Sequence, residues 1–93
     1  MPIRVGWGNQ NQTYIYVQFI GQWTWEDYYH GYETWLQLVN TVSYTVATLA
    51  NFSDSRGIPQ GALTHFHKTF TVLGSKGGEF IVVGADTMII TFG

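Results

Sequence analysis

The chain has 93 residues, which is room for a single domain. Charged residues make up only 11 %, and the net charge is −2 with four Lys plus Arg, so the chain lacks the basic surface that nucleic-acid binding requires. The absence of cysteine excludes disulfides, thiolate nucleophiles and cysteine-ligated zinc. No apolar run approaches the roughly 20 residues of a membrane helix, and the first residues lack a signal-peptide core. We therefore expect a cytoplasmic protein without a membrane span.

The first two segments predict a β-hairpin. Ile3–Trp7 alternates apolar and polar residues, residues 8–12 have the composition of a turn, and Thr13–Ile20 is rich in aromatic and β-branched residues. Successive side chains of a strand point to opposite faces. In the second strand one face should carry Ile15, Val17 and Phe19, and the other Tyr14, Tyr16 and Gln18.

A 3.6-residue period predicts a helix from Thr24 to about Asn40. Thr24 followed by Asp27 three residues later resembles a capping box. The apolar stripe of this helix consists of Trp25, Tyr28, Tyr29, Tyr32, Trp35, Leu36 and Val39. A separate polar stripe consists of Glu26, His30, Glu33, Gln37 and Asn40.

The remaining segments continue the alternation of strands and helices. Tyr44–Phe52 predicts a strand, and a second helix is expected from Pro59 to about Leu73. Phe80–Val83 is continuously apolar, as expected of a central strand that is covered on both faces. Residues 86–93 are compatible with a third helix or a short strand. The order β-β-α-β-α-β predicts an α/β domain with a mixed sheet of four to five strands, two crossover helices and an antiparallel hairpin at one edge.

Four phrases of the sequence, at residues 19–26, 46–53, 58–63 and 80–85, together with this order of elements, resemble a known family. They are similar to the STAS domains of anti-sigma-factor antagonists (the SpoIIAA-like family), and in particular to small bacterial STAS/SEC14-like proteins. The resemblance implies a single STAS-like domain over residues 1–93. It also implies a member that is short at its C-terminal end, because the family continues through a further helix, strand and helix.

The resemblance also carries an expectation about regulation. In the family's signalling members, a Ser or Thr at the start of the second helix accepts phosphate, and an acidic residue ends the preceding strand. The corresponding acidic position here holds Asn51, and the acceptor position falls at Pro59 or Gln60. Neither of the latter residues can be phosphorylated, so we expect no phosphorylation switch at that position. Ser53 and Ser55 are the nearest hydroxyl residues.

The titratable side chains do not form a recognisable catalytic or metal motif. His65 and His67 are two residues apart on a predicted helix, so their side chains diverge by about 160°. We expect His65 to face solvent and His67 to lie at the flank of the core. Glu26 and Asp27 suit the first turn of a helix. We predict no cofactor, no metal and no enzymatic activity.

The leading functional prediction is a non-enzymatic STAS-like regulatory or protein-binding module. The predicted partner is another protein or a second copy of the chain, because a surface with so little charge repels its own copies weakly. Two regions are expected to bind the partner. One is the loop from Ser53 to Gln60 together with the start of the second helix, and the other is the aromatic face of the second strand. The predicted partner-binding residues are Asn51, Ser53, Asp54, Ser55, Arg56, Gln60, Tyr14 and Tyr16.

Two alternatives remain open from the sequence. The aromatic stripes of the first helix and second strand are compatible with a protein that encloses a small apolar or lipid-like ligand between sheet and helix. A small hydrolase or lyase would use Glu26, His30 and Glu33, which lie near one another on one helix.

Overall fold

A computed structural model describes residues 2–75 and 78–84. The elements follow the predicted order β-β-α-β-α-β and confirm the α/β fold. They are β1 (Ile3–Trp7), β2 (Tyr14–Gly21), α1 (Trp25–Asn40), β3 (Ala47–Ser55), α2 (Ala62–Ser75) and β4 (Phe80–Val83). The prediction for residues 86–93 lies outside the described residues.

The strands form one mixed sheet in the order β1-β2-β3-β4. β1 pairs antiparallel with β2, so the predicted hairpin does provide an antiparallel edge. β2 with β3 and β3 with β4 are parallel pairs, and the connections between them contain α1 and α2.

The third strand and second helix begin later than predicted. β3 starts at Ala47 because its partner strand starts opposite it, at Tyr14, and it continues to Ser55, which pairs with Gly21. α2 starts at Ala62 rather than near Pro59. Gly61 has a φ of +87°, which a right-handed helix does not accommodate, so the helix begins after it.

The prediction of a covered central strand at Phe80–Val83 is wrong for the described part of the chain. There β4 pairs only with β3 and lies at the edge of the sheet. Its four side chains are between 37 % and 45 % exposed. A continuous apolar run shows that both faces of a strand are apolar, but it does not show how many neighbours the strand has.

Both helices pack on the same face of the sheet. Thr24 and Asp27 form the predicted capping box at the start of α1. Gly31 lets α1 approach β1, since a Cβ there would meet the Ile3 Cγ2 atom at 3.1 Å. From α2, Phe66 enters the core that contains Phe19 and the inward side chains of β3. No helix among residues 2–75 and 78–84 is long and apolar enough to cross a membrane.

Candidate functional site

An apolar cavity of about 210 Å³ lies between the sheet and the two helices. All four strands and both helices contribute to its wall, and most of the lining side chains are aliphatic or aromatic. The lining residues are Ile3, Val17, Phe19, Tyr28, Gly31, Tyr32, Trp35, Thr48, Ala50, Phe52, Phe66, Phe70, Phe80 and Val82.

Small residues at the centre of the packing layer explain why the space is left open. Thr48 and Ala50 are the inward-facing residues in the middle of β3, and both are buried. Gly31 lines the cavity from α1 and contributes no side chain. Larger side chains at these positions would fill much of the cavity.

Among the described residues, the cavity opens toward β4 at the edge of the sheet. Phe80 and Val82 point from β4 to the helix side, where they line the cavity, and both remain more than one-third exposed. Phe70 of α2 contacts Phe80 edge-on, with ring centroids 4.8 Å apart. The entrance is therefore formed by β4 and the second half of α2.

Two hydroxyl groups at the wall are paired with neighbouring side chains. The indole Nε1 of Trp35 donates to the Oγ1 of buried Thr48 at 2.8 Å. The hydroxyl of Tyr28 is hydrogen-bonded to Thr69. Thr69 also lies within 3.2 Å of the Phe66 carbonyl, which can only accept, so the Tyr28 hydroxyl donates to Thr69 and Thr69 donates to the backbone.

Aromatic and polar contacts fix α2 to the start of α1. The Trp25 indole stacks on the His65 ring at a centroid distance of 4.3 Å, and its Nε1 donates to the Gln60 carbonyl at 2.6 Å. The hydroxyl of Tyr29 lies 2.7 Å from His65 Nδ1. The prediction of a solvent-facing His65 and a core-flanking His67 is wrong. His65 is half-buried and His67 is exposed, because α2 packs against α1 as well as against the sheet.

The opposite face of the sheet carries a second apolar surface, which we call the uncovered sheet face. Neither α1 nor α2 packs on it. Tyr16, Leu49 and Ile81 are aligned across three strands in one row. The other members of the uncovered sheet face are Arg4, Gly6, Tyr14, Gln18, Ile20, Ala47, Asn51, Asp54 and Val83. Tyr14, Tyr16 and Gln18 therefore share the face predicted for them.

The eight predicted partner-binding residues divide between two regions. Tyr14, Tyr16, Asn51 and Asp54 lie on the uncovered sheet face, where Asn51 Nδ2 donates to the Tyr16 hydroxyl at 2.7 Å and Gln18 Nε2 donates to Asp54 at 3.1 Å. The other four lie at the end of β3 and in the loop that follows.

In that second region, Ser53 and Arg56 are exposed. Ser55 instead accepts a hydrogen bond from the indole of buried Trp23 at 2.8 Å. Gln60, at the position where the STAS resemblance puts a phosphate acceptor, offers its carbonyl to Trp25. Ser55 and Gln60 therefore stabilise the packing of neighbouring elements.

The residues of the hydrolase alternative line an open groove between α1 and the edge strand β1. Glu26, His30 and Glu33 are exposed. Among the described residues, no group of three or more His, Asp or Glu side chains is arranged to hold a metal ion.

Sequence reasoning missed most of the cavity wall. The ligand-binding alternative named the aromatic stripe of the first helix, and Tyr28, Tyr32 and Trp35 do line the cavity. It also named the second strand, but Tyr14 and Tyr16 lie on the opposite face, and β2 contributes Val17 and Phe19. The sequence signal that could have revealed the cavity is the small size of three side chains. Gly31 lies in the first helix, and Thr48 and Ala50 are inward residues of the third strand.

Comparisons with protein-family models, with curated proteins and with solved structures find no match to this chain. The STAS resemblance therefore remains a prediction.

The buried hydroxyl of Tyr28 predicts a loss of stability in alkali. Burial raises the pKa of Tyr28 from its ordinary value of 10.0 to about 12. The neutral phenol is thus favoured by folding, and its contribution is present below pH 10 and is lost as the pH rises through 12. We expect wild-type protein to lose roughly 2 kcal/mol between pH 8 and pH 11.5 from Tyr28 alone. Urea unfolding at pH 8 and at pH 11.5 measures it.

Tyr28→Phe should lower the free energy of unfolding at pH 8 by about 1 kcal/mol, because one hydrogen bond is lost. It should also lose less stability than wild type between the two pH values. Tyr16→Phe, which removes a hydroxyl from the uncovered sheet face, is the matched control and should retain the wild-type dependence. Equal losses in wild type and Tyr28→Phe would contradict the assignment.

Proposed function

We propose that this chain is a non-enzymatic, cytoplasmic binding domain that holds a small apolar molecule in the cavity between its sheet and helices. The observation that supports this function is the cavity itself, which is lined by aromatic side chains of both helices and has an entrance at β4. Well-packed domains leave few voids larger than a water molecule. A cavity of this size and composition is better explained by a ligand than by imperfect packing.

The size and polarity of the cavity define the class of ligand. An apolar cavity of about 150 Å³ in another protein stays dry and binds benzene. The cavity here is larger, at about 210 Å³, and suits a molecule with a single ring or two fused rings. Phe52, Phe66 and Trp35 offer ring faces and edges to such a molecule. No charged residue is part of the described wall, so a neutral ligand is favoured.

The entrance supplies a pair of variants that test this function. Val82 lies at the cavity entrance and is 42 % exposed, whereas the adjacent Val83 points to the opposite face and is 37 % exposed. Val82→Phe should obstruct the cavity and weaken binding of naphthalene by roughly tenfold or more. Val83→Phe adds the same volume to the same edge strand and should leave binding unchanged. Equilibrium dialysis with ultraviolet detection measures both affinities.

Wild-type protein that does not bind naphthalene would refute the proposed function. Equal weakening by Val82→Phe and Val83→Phe would show that the molecule binds elsewhere.

The uncovered sheet face supports a second candidate function, association with a second copy of the chain. Its central row of Tyr16, Leu49 and Ile81 is apolar, and Ile81 is 45 % exposed. Exposed apolar surface of this kind marks interaction sites. A net charge of −2 opposes self-association only weakly. The STAS resemblance also favours a function that is carried out through protein contacts.

Ile81→Lys tests this second candidate. Wild-type protein should sediment as a dimer at about 100 μM, a concentration that suits the affinity of a modest interface. Ile81→Lys should sediment as a monomer, because the dimer would bury the lysine in its interface at a high cost in free energy. Leu63→Lys, on α2 and 71 % exposed, introduces the same charge away from the uncovered sheet face and should remain dimeric. A monomeric wild type at millimolar concentration would exclude the dimer.

A further inference from the structure

We infer that the cavity selects aromatic molecules that carry a hydrogen-bond acceptor, and that the hydroxyl of Thr48 is the donor that recognises it. This inference rests on the proposed function, because it specifies the ligand class of the same cavity. It depends on which hydroxyl hydrogens at the cavity wall are already engaged.

Thr48 has a hydroxyl hydrogen without a described acceptor. Its Oγ1 accepts the Trp35 indole N–H at 2.8 Å, and an indole N–H can only donate. The hydroxyl must therefore direct its own hydrogen elsewhere, and no acceptor for it lies among the described residues. Thr48 is only 3 % exposed, so bulk water does not reach this group freely. A buried donor without an acceptor is costly, and a ligand that supplies one gains affinity.

The other polar groups of the described wall do not compete for this role. The Tyr28 hydroxyl donates to Thr69, and the Trp35 N–H donates to Thr48. Within the part of the chain that the structure describes, Tyr32 has no hydrogen-bond partner, yet no buried polar side-chain atom there is unpaired. The Tyr32 hydroxyl must therefore reach solvent. Thr48 is thus the buried donor of the described wall that remains available, whereas the Tyr32 hydroxyl is already hydrated.

A small second space beside Thr48 offers the competing explanation. It measures about 20 Å³, lies between Trp35, Val46 and Glu79, and is large enough for one water molecule. If a water there accepted the Thr48 hydrogen permanently, the cavity would bind aromatic molecules without regard to acceptors. The two explanations predict different selectivity.

Naphthalene and quinoline provide the test, because quinoline replaces one C–H of naphthalene by an acceptor nitrogen. The two molecules are hydrated differently in water, and this difference is the same whichever protein binds them. We therefore compare the quinoline-to-naphthalene affinity ratio of wild type with that of a variant, so that the hydration difference cancels. Thr48→Val keeps the shape and removes the hydroxyl. It should reduce the preference for quinoline relative to naphthalene by roughly 3- to 10-fold, the range of one hydrogen bond. Thr48→Ser retains the hydroxyl and should retain the preference.

An unchanged ratio in Thr48→Val would overturn the inference while leaving the proposed function intact. Failure of naphthalene and quinoline alike to bind wild type would instead refute the proposed function. Because Thr48→Val also leaves the Trp35 N–H unpaired, it is prone to unfold. A second comparison therefore uses wild type with quinoline and isoquinoline, which are isomers that differ in the nitrogen position. A fixed donor should distinguish them by at least 3-fold, and equal affinities would overturn the inference.

Discussion

Both crossovers between parallel strands move in the same direction across the sheet, from β2 to β3 and from β3 to β4. Crossovers of this kind are right-handed, so two successive crossovers in one direction place both helices on the same face. This constraint has two consequences here. One face of the sheet receives all the described helical cover, and the other retains an apolar row with none.

The covered face is itself incompletely filled. Gly31 brings α1 close to β1, and contacts of Trp25, Tyr28 and Tyr29 hold α2 against the first turns of α1. These contacts join the two helices, and Trp25 and Tyr28 also pack on Trp23 of the core beneath them. With small side chains at Thr48 and Ala50, the layer cannot close over the centre of the sheet. The cavity is thus a result of helix–helix contacts and small inward residues acting together.

The sequence predicts those features that depend on local pattern. The alternation in β2 assigns Ile15 and Tyr16 to opposite faces correctly, and the pairing of Thr24 with Asp27 identifies the start of α1. Features that depend on neighbours are not predictable in this way. The ends of β3 are set by the length of β2, and the position of β4 at the edge depends on strand order.

The candidate site also combines features set by local sequence pattern with features set by neighbouring elements. Periodicity places Tyr28, Tyr32 and Trp35 on the inward stripe of α1, but an unfilled volume has no periodicity of its own. It arises where small residues from separate segments, such as Gly31 and Ala50, meet across the packing layer. The partner of His65 is likewise a residue 36 positions earlier in the chain, so its half-buried position could not be read from the wheel of α2.

Ligand binding by this domain depends on an apolar, accessible cavity in the layer between sheet and helices. Crystals exposed to xenon under pressure test it most directly, because xenon enters apolar cavities without requiring a specific ligand. We expect a xenon site beside Ala50, surrounded by Trp35, Phe52 and Phe66. A structure without xenon in this layer, with Phe52, Phe66 or Phe70 filling the space, would contradict it.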